Sequence, residues 1–565
     1  MQKKWIIKDP NKDLSDKISK NFNISPIVAQ VLINRGIGDF SLVESFLNND
    51  LSYLLKPQRL NGVEKAVARI RSAIAEREDV LIYGDYDVDG ITSVALLYDL
   101  LTRLGAKTHF YIPNRLDEGY GLNIEAAQRI VKEKYKLVIT VDCGTNASKE
   151  ISFLQKTGVD VIVVDHHHAD KNEFAKEALC VVNPLQEGDD YPFKDMAGVG
   201  LVFKLAWALL GDLEEASEYL DLVCLGTVSD IAPVVGENRI LIRHGLKRIM
   251  ESRRIGIRHL LKVCSLGSKT LSYYHVGFML GPRINASGRL GSPEIALKLL
   301  LTSNETEASN MARMLDRANR DRQDIETQTL KDAIRKIEQE INFKEHRAIV
   351  LADENWHPGV IGIVASRIVD RYYRPTILIS LSKDKGRGSG RSIKNFYLYD
   401  AVEKCKDFLH NFGGHKWACG ITIERDKIKS FSDRFNEISH KLLQPDDLVP
   451  AVEIDAEIGL GDINQDFISQ LDMLSPYGPG NRKPLFMTRD LKLKKGIKFF
   501  KKGVASFWVQ GASAVCEVVA FRMQETAGLD SEGRILNLVY SPSLNRYNGL
   551  TNIRLNLEDI RLTDI

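Results

Sequence analysis

Aspartate and histidine gather in the first half of the chain where packing alone gives them no role. Gly84-Asp-Tyr-Asp-Val-Asp-Gly90 follows the apolar run Val80–Tyr83, and Asp142 closes Leu137–Val141. Asp165-His166-His167 closes Val159–Val164, and Asp230 stands before Pro233 in the apolar stretch Leu222–Pro233. Carboxylates two apart on an extended backbone point to one face, so Asp85, Asp87 and Asp89 could share a side; in a loop, the turn decides. Taken singly, each has a plainer reading. Asp and Gly also make solvated turns, Asp142 serves equally well as a cap or turn residue, and Asp230 alone says little. Together, up to five carboxylates and two imidazoles without matching Lys or Arg would repel one another in a low-dielectric cleft. Divalent cations remove that cost. Oxygen-rich ligation with one or two histidines favours Mg²⁺ or Mn²⁺ over zinc or copper. A pair of such ions about 3.5–4 Å apart suits phosphoester hydrolysis.

The elements that must position these groups alternate between helix and strand. Helices are predicted over Val63–Glu76, Gly90–Leu101, Ile124–Lys134 and Ser148–Lys156. Strands are predicted over Val80–Tyr83, Thr108–Ile112, Leu137–Val141, Val159–Val164 and Ala178–Val182. Such alternation implies a mostly parallel, doubly covered sheet, in which ligands bind outside the carboxyl ends of the strands. Residues 198–262 read as helical. From Asn304 to Ile341, Asn304 and Glu307 have the capping-box spacing and apolar residues recur near helical period. That helix would run about 57 Å, a strut between lobes. A second α/β lobe follows from Arg347 to about Leu443, with strands over Ala348–Ala352 and Thr376–Ser380. Short β-like runs then read as a small closed or partly closed barrel. The expected division is a lead-in over 1–62 without chemistry, a catalytic lobe over 63–303, the connecting helix over 304–342, a second lobe over 343–446, and an OB-type barrel over 447–565.

Bulk properties exclude several classes. With 565 residues the chain should hold about three or four domains. A net charge of +2 means that any nucleic-acid affinity comes from local patches. Seven scattered cysteines with no CxxC argue against a disulfide framework and against a thiolate zinc site. The first residues lack the apolar core of a signal peptide, and no apolar run approaches the roughly 20 residues of a membrane span. The expectation is a cytoplasmic protein with no membrane association.

Gly84–Gly90, Asp142, Asp165-His-His167 and Ser229-Asp230 resemble the four motifs of the DHH phosphoesterases. A wider set narrows the resemblance to RecJ-like single-strand-specific exonucleases. It comprises Pro113–Gly121, Gly281–Arg289, Trp356–Arg367, Gly386–Ser392, Gly413–Gly420 and Pro476–Asn481. The resemblance covers nearly the whole chain in order; His168 and Cys419 are tolerable variations within it. It implies 5′-to-3′ degradation of single-stranded DNA to mononucleotides, in recombination and repair. It also implies two Mn²⁺ or Mg²⁺ ions held by Asp87, Asp89, Asp142, His166 and Asp230, one aspartate bridging. Asp85 would be a further ligand or a group behind the ligands, and His167 would contact the scissile phosphate or assist the leaving group. Spacing does not apportion these roles.

Candidate DNA contacts lie further along. Arg115, Arg283 and Arg289 are candidate phosphate clamps, since Arg offers phosphate a bidentate fork; surface solubility is the alternative. Lys383–Lys394 holds five basic residues and one acid among glycines that let backbone N–H groups approach an anion. Arg391, Ser392 and His415 are therefore expected to contact the strand, the alternative being a glycine turn and a core histidine. Arg482–Lys502 holds nine basic residues and one acid, with Phe486, Phe499, Phe500 and nearby Trp508, a composition suited to backbone tracking and base stacking. Small-molecule DHH enzymes would share the metal site but need neither barrel nor strut, and a non-catalytic scaffold would lose its carboxylates. Single-stranded DNA is the expected partner, with a helicase and a single-stranded-DNA-binding protein as candidate protein partners of a monomer.

Overall fold

The computed structural model describes residues 3–114, 118–119, 121–267, 269–290, 292–500, 503–521, 533–547 and 550–563. Arg115 lies outside them. Strand β1 (Lys4–Ile7) opens the chain and pairs far away, as described below. The first sheet contains β2 (Asp79–Gly84), β3 (Lys107–Tyr111), β4 (Leu137–Val141), β5 (Asp160–Val164) and β6 (Cys180–Val182), in the order β3-β2-β4-β5-β6. Every neighbouring pair is parallel. Its central strands are apolar throughout because both faces are covered. Alternate side chains enter different cores. Val80, Ile82, Ile139 and Val164 pack with the helices Val63–Ala75, Val88–Arg103 and Gly198–Leu210. Leu81, Tyr83, Val138 and Val163 pack with the helices Ile124–Lys132 and Ser148–Lys156.

Register decides what happens at the carboxyl edge. Gly84 is paired with Val141, and Val141 with Val164, so three adjacent strands end level. The next residue of each is an aspartate: Asp85, Asp142 and Asp165.

The helical stretch after this sheet includes Leu220–Ser229, Gly236–Met250 and Ile255–Val263. The strut runs from Glu305 to Glu340, 36 residues, or about 54 Å. Asn304 caps it by accepting from the backbone of Thr306 and Glu307. Only half of the capping box forms, because the Glu307 carboxylate accepts from the Thr302 hydroxyl instead. The first half of the strut sinks Ala308, Ala312 and Leu315 into the first lobe, while Ala333 and Ile337 join Trp356, Ile361 and Leu378 of the second. Between these halves, buried Glu326 receives Arg322 at 2.7 Å and Arg367 at 2.6 Å.

The second lobe is a mixed sheet of β7 (Ile349–Asp353), β8 (Thr376–Ser382), β9 (Lys385–Arg391), β10 (Leu409–His415) and β11 (Ala418–Glu424), ordered β10-β11-β9-β8-β7. The glycine-rich segment is therefore strand β9, hydrogen-bonded on both sides to β8 and β11. This corrects the expectation that its backbone N–H groups face an anion: the ladder uses them. Its glycines are there for packing. A Cβ on Gly386, Gly388 or Gly390 would lie 2.5–2.7 Å from Ile379, Ile421 or Cys419. Arg387, Ser389 and Arg391 occupy the other face.

The C-terminal part contains β12 (Ala451–Ile454), β13 (Ala456–Glu457), β14 (Phe486–Phe500), β15 (Val504–Gln510), β16 (Val515–Phe521), β17 (Ile535–Tyr547) and β18 (Leu550–Leu562). The order β14-β15-β16-β18-β17 closes through β14–β17 into a barrel. The first residues have no core of their own. β1 pairs in parallel with β12, and Ile18, Val28, Leu32 and Val43 share the barrel's core, whereas Leu54 and Leu60 belong to the first lobe. Among the described residues no helix is long and apolar enough to cross a membrane.

One buried arginine joins the N-terminal residues, the first lobe and the loop that leads into the barrel. Arg239, on the helix Gly236–Met250, donates to the carbonyls of Phe46 (2.6 Å), Met473 (3.0 Å) and Ser475 (2.9 Å). Its guanidinium lies 3.6 Å from the centroid of the Phe46 ring. Burial, then the charges of Arg243 and Arg35, pulls it down to about 9. Arg239→Met should strip the Phe46 and Met473 carbonyls of their donor, Ser475 keeping Arg243 at 3.2 Å, and destabilise the chain by about 3 kcal/mol. Arg243→Met, at a more exposed position, should cost under about 1 kcal/mol. Urea midpoints of the two variants check this, and equal midpoints would refute the clasp.

Candidate metal centre

Asp85 and Asp142 follow β2 and β4 and are almost completely buried. Asp142 holds a left-handed backbone, φ +59°, which an L-residue adopts at a cost. Asp87 caps the helix Val88–Arg103, accepting from the N–H groups of Asp89 (2.9 Å) and Gly90 (3.1 Å). A Cβ at Gly90 would sit 2.4 Å from the Asp85 carbonyl, so only glycine lets the helix begin there. Asp89, in the first turn of that helix, is gripped by Gly198 N–H (2.7 Å) and Val199 N–H (2.8 Å). These are the first amides of the helix Gly198–Leu210, whose N-terminal dipole favours the anion. A Cβ at Gly198 would lie 2.8 Å from an Asp142 oxygen. Asp230 ends the helix Leu220–Ser229.

Three groupings have ligand atoms within 4.8 Å of one another: Asp85/Asp87/Asp142, Asp89/His166/Asp230, and Asp142/Asp165/His166/His167. Asp142 and His166 each belong to two of these, and they meet at 3.1 Å. All five predicted ligands, and Asp85, are thus brought together. The electrostatics are those of crowded anions. Burial, then Asp89, Asp87, Asp85 and Asp230, holds the Asp142 carboxyl well above the usual range. Burial, then Asp89 and Asp87, does the same to Asp230. Burial and Asp87 push Asp89 up to about 7. A buried carboxylate set that resists ionisation in this way fits divalent cations.

Asp165 has a different task. One oxygen accepts from the amides of His166 (2.8 Å) and His167 (3.3 Å) and contacts His167 Nδ1 at 2.7 Å. The other accepts from Thr145 N–H at 3.0 Å. It therefore braces the two histidines. Asn183 adds to the brace by donating to the His167 carbonyl and the Thr145 hydroxyl. Sequence reasoning missed Asn183, Thr145 and the Gly198 amide; only Gly198-Val-Gly200 before an apolar helix hinted at close approach. The brace separates the imidazoles. Burial opposes charge on His167, but the Asp165 bond and charge raise it to about 9. Burial and charged His167 lower His166 to about 4. His166 is thus a neutral donor and His167 a cation, with Nε2 on the side of its ring opposite Asp165.

The predicted strand contacts divide. His415, at the end of β10, is lowered by partial burial and then by His167 and His168, which puts that hairpin over the metal edge. Ser392 donates to the Phe396 carbonyl at 2.6 Å, and Arg391 to the Gly390 carbonyl at 2.7 Å. Arg289 donates to the Gly359 carbonyl at 2.9 Å, so the helix Gly281–Leu290 spans from first lobe to second. Arg283 is a correction: its fork is committed to Asp316 of the strut (2.9 Å) and to the Met279 carbonyl (2.7 Å). It fastens two helices together and is not a phosphate clamp.

Comparison with known proteins matches the DHH family, N-terminal domain, over residues 79–227, the DHHA1 domain over 345–441 and the RecJ OB domain over 454–559. The single-stranded-DNA-specific exonuclease RecJ of Bacillus subtilis is 35% identical over 99% of this chain and 71% of its own. That of Thermus thermophilus is 37% identical over 84% and 69%. The solved RecJ of Thermus thermophilus in complex with Mn²⁺ superposes with a TM-score of 0.85 at 30% identity, covering 100% of this chain and 80% of that one. An exonuclease RecJ bound to manganese gives 0.61 at 37% identity over 70% and 98%.

Two outcomes follow from this geometry. Asp165→Asn should lower Mn²⁺ affinity by about 10–100-fold although Asp165 is a brace; titration calorimetry returning the parent affinity would refute it. In metal-free protein, Asp89, Asp142 and Asp230 have folded pKa values above the unfolded one, so the folded state holds extra protons. Their stabilisation is complete below the unfolded pKa and disappears as pH rises through about 7. The Tm of chelator-treated protein should therefore fall between about pH 5 and 8, and saturating Mn²⁺ should flatten that slope. A slope identical with and without Mn²⁺ would count against the cluster as its source.

Proposed function

The chain belongs to the RecJ family of single-stranded-DNA-specific exonucleases, and from that premise we propose that it hydrolyses single-stranded DNA from the 5′ end to mononucleotides, in recombination and repair. The observation that carries this is the level ending of three adjacent strands, which sets Asp85, Asp142 and Asp165 side by side under Asp89, Asp230 and two histidines. Asp87, Asp89, Asp142, Asp230 and His166 would hold two Mn²⁺ or Mg²⁺ ions. When bound, such a pair neutralises phosphoryl charge, acidifies the attacking water and stabilises the leaving oxygen.

The chain's own residues complete the reaction. Asp142 would be a ligand common to both sides of the centre, since it belongs to the Asp85/Asp87 grouping and to the histidine grouping. Asp85, grouped with Asp87 and Asp142, would be a further ligand or a group behind the ligands. His167, kept charged by Asp165, contributes a hydrogen bond or proton through Nε2 to the phosphate or the leaving oxygen. Arg391, Ser392 and His415, with Arg289 beside them and Arg115 on the loop after β3, receive the terminal nucleotide. Polarity rests on the family, not on any single residue.

In the proposed division of labour, residues 63–303 carry the chemistry, 304–342 set the spacing, 343–446 hold the strand end and 447–565 bind the strand beyond it. The outward register of the barrel supports the last part: Lys492 pairs with Gln510 and Lys498 with Ser506, beside exposed Trp508. A monomer acting in the cytoplasm with a helicase and a single-stranded-DNA-binding protein completes the proposal.

Oligonucleotides labelled at either end test it with Mn²⁺ or Mg²⁺. The 5′ label should be released as mononucleotide at once, and the 3′ label last. Early release of the 3′ label would reverse the polarity. Asp142→Ala or His166→Ala should lower the rate at least about 100-fold; an unchanged rate would remove both from the centre.

A further inference from the structure

Asn238 is fully buried on the helix Gly236–Met250, beside the Arg239 that reaches the N-terminal residues and the barrel loop. Its side-chain amide donates to backbone carbonyls of two other segments, Asp195 at 2.6 Å and Pro233 at 3.1 Å. Its oxygen is buried and meets no donor among the described residues. A buried acceptor without a partner is a cost, so the two donors are what this residue contributes.

Both segments lead to groups of the metal edge. Asp195 opens the run Asp195–Val199. Within it the Met196 backbone bonds the His166 ring in the sense that favours a protonated imidazole, so the Met196 carbonyl accepts. The Gly198 and Val199 amides donate to Asp89 at 2.7 and 2.8 Å. Pro233 closes the turn that follows Asp230. In that turn Ile231 holds φ +63°, a conformation that a β-branched residue keeps only when its surroundings impose it. The helix Leu220–Ser229, which delivers Asp230, packs against Asp89: a Cβ on Gly226 would lie 2.8 Å from an Asp89 oxygen. One buried amide therefore ties the run that orients Asp89 and His166 to the turn that orients Asp230. Those three residues form one of the groupings able to hold an ion. The Asp85/Asp87/Asp142 grouping hangs on strand ends and a helix start, and Asn238 donates nothing to it.

We propose that Asn238 is a positioning residue for the ion of the Asp89/His166/Asp230 grouping: it fixes the separation of two backbone segments, so that three ligands meet one ion together. This rests on the two-ion reading given above. Removing the amide should cost the centre one ion and leave the other.

The test is Mn²⁺ titration of the full-length chain by calorimetry, with EPR of the loaded protein, in which two ions about 3.5–4 Å apart couple and a single ion does not. The parent should take two ions and show the coupled spectrum. Asn238→Leu, similar in size but without a donor, should hold one ion near the parental affinity and the other about 10–100-fold more weakly. Its coupled spectrum should be lost at the Mn²⁺ concentration that saturates the parent, and the retained ion shows that it is folded. Asn238→Ser keeps one donor in a smaller volume, should lose about tenfold at the same ion, and decides the matter where Asn238→Leu does not fold. Arg239→Met controls for lowered stability alone and should keep the coupled pair. Parental affinity for both ions in Asn238→Ser, equal losses at both ions, or the same loss of the pair in Arg239→Met overturns the assignment. A parent that never takes a second ion refutes the two-ion reading itself, and the assignment with it.

Discussion

Like charges brought together out of water set the terms for this fold. Asp85, Asp89 and Asp142 are each at most 3% exposed, and their mutual repulsion would scatter them unless the backbone left no alternative. The sheet supplies that constraint through register, which a one-residue slip would destroy. Two helix N-termini share the load. One begins at Asp87, which caps it, and the other begins at Gly198 and grips Asp89 with two amides. Asp165 carries full charge without joining the crowd, because its oxygens are already occupied by Thr145 and the two histidines. Its contribution is to make neighbouring imidazoles unlike, one neutral and one cationic. That separation suits one to hold a metal as a neutral donor and the other to give a hydrogen bond or proton.

The rest of the chain spaces a second surface from this edge. The strut does so by sinking its two halves into different cores, and the buried Arg322–Glu326–Arg367 cluster fixes its roll where it crosses between them. A charged cluster contributes little net stability when buried, yet it specifies rotation as an apolar contact would not. Arg283 belongs to the same scaffold: by holding Asp316 it sets the tilt of the helix that bridges from Ser229 to Gly359. The glycines of β9 leave room on one face for Ile379, Ile421 and Cys419 of the neighbouring strands, while Arg387, Ser389 and Arg391 occupy the other.

Much of this was legible in the sequence because local pattern and chemistry agreed. Apolar runs ending in Asp gave both the strands and their functional ends, and the period of residues 304–341 gave the strut almost to the residue. What was hidden depends on pairing between distant segments. Asp165 was given no role of its own, because nothing local reveals that Thr145 and Asn183 arrive to complete a brace around it. The Gly386–Ser392 stretch read as an anion-binding loop because glycine marks close approach without saying whether backbone or side chains approach. Here Ile379 and Ile421 fill the space. Arg283 read as a clamp because its partner, Asp316, lies 33 positions on. Residues 1–62 read as a lead-in, since a strand pairing across more than 400 residues leaves no local trace.

That long-range pairing also bears on how barrel and metal edge act together. The loop carrying Met473 and Ser475 supplies two of the three acceptors for buried Arg239, and the same loop forms one wall of a cleft beside Tyr274. Arg239 sits on the helix whose later residues, Arg243 and Lys247, form the facing wall. The width of the cleft is thus set by direct bonds from the first lobe to this loop, Arg239 and Arg243 to Ser475 and the Val234 amide to the Pro479 carbonyl among them, not by a flexible linker. A barrel tethered loosely would raise the local concentration of a strand without aligning it. A barrel held by Arg239 keeps a fixed position against the helix Gly236–Met250 and so against the lobe that carries Asp230 and His167.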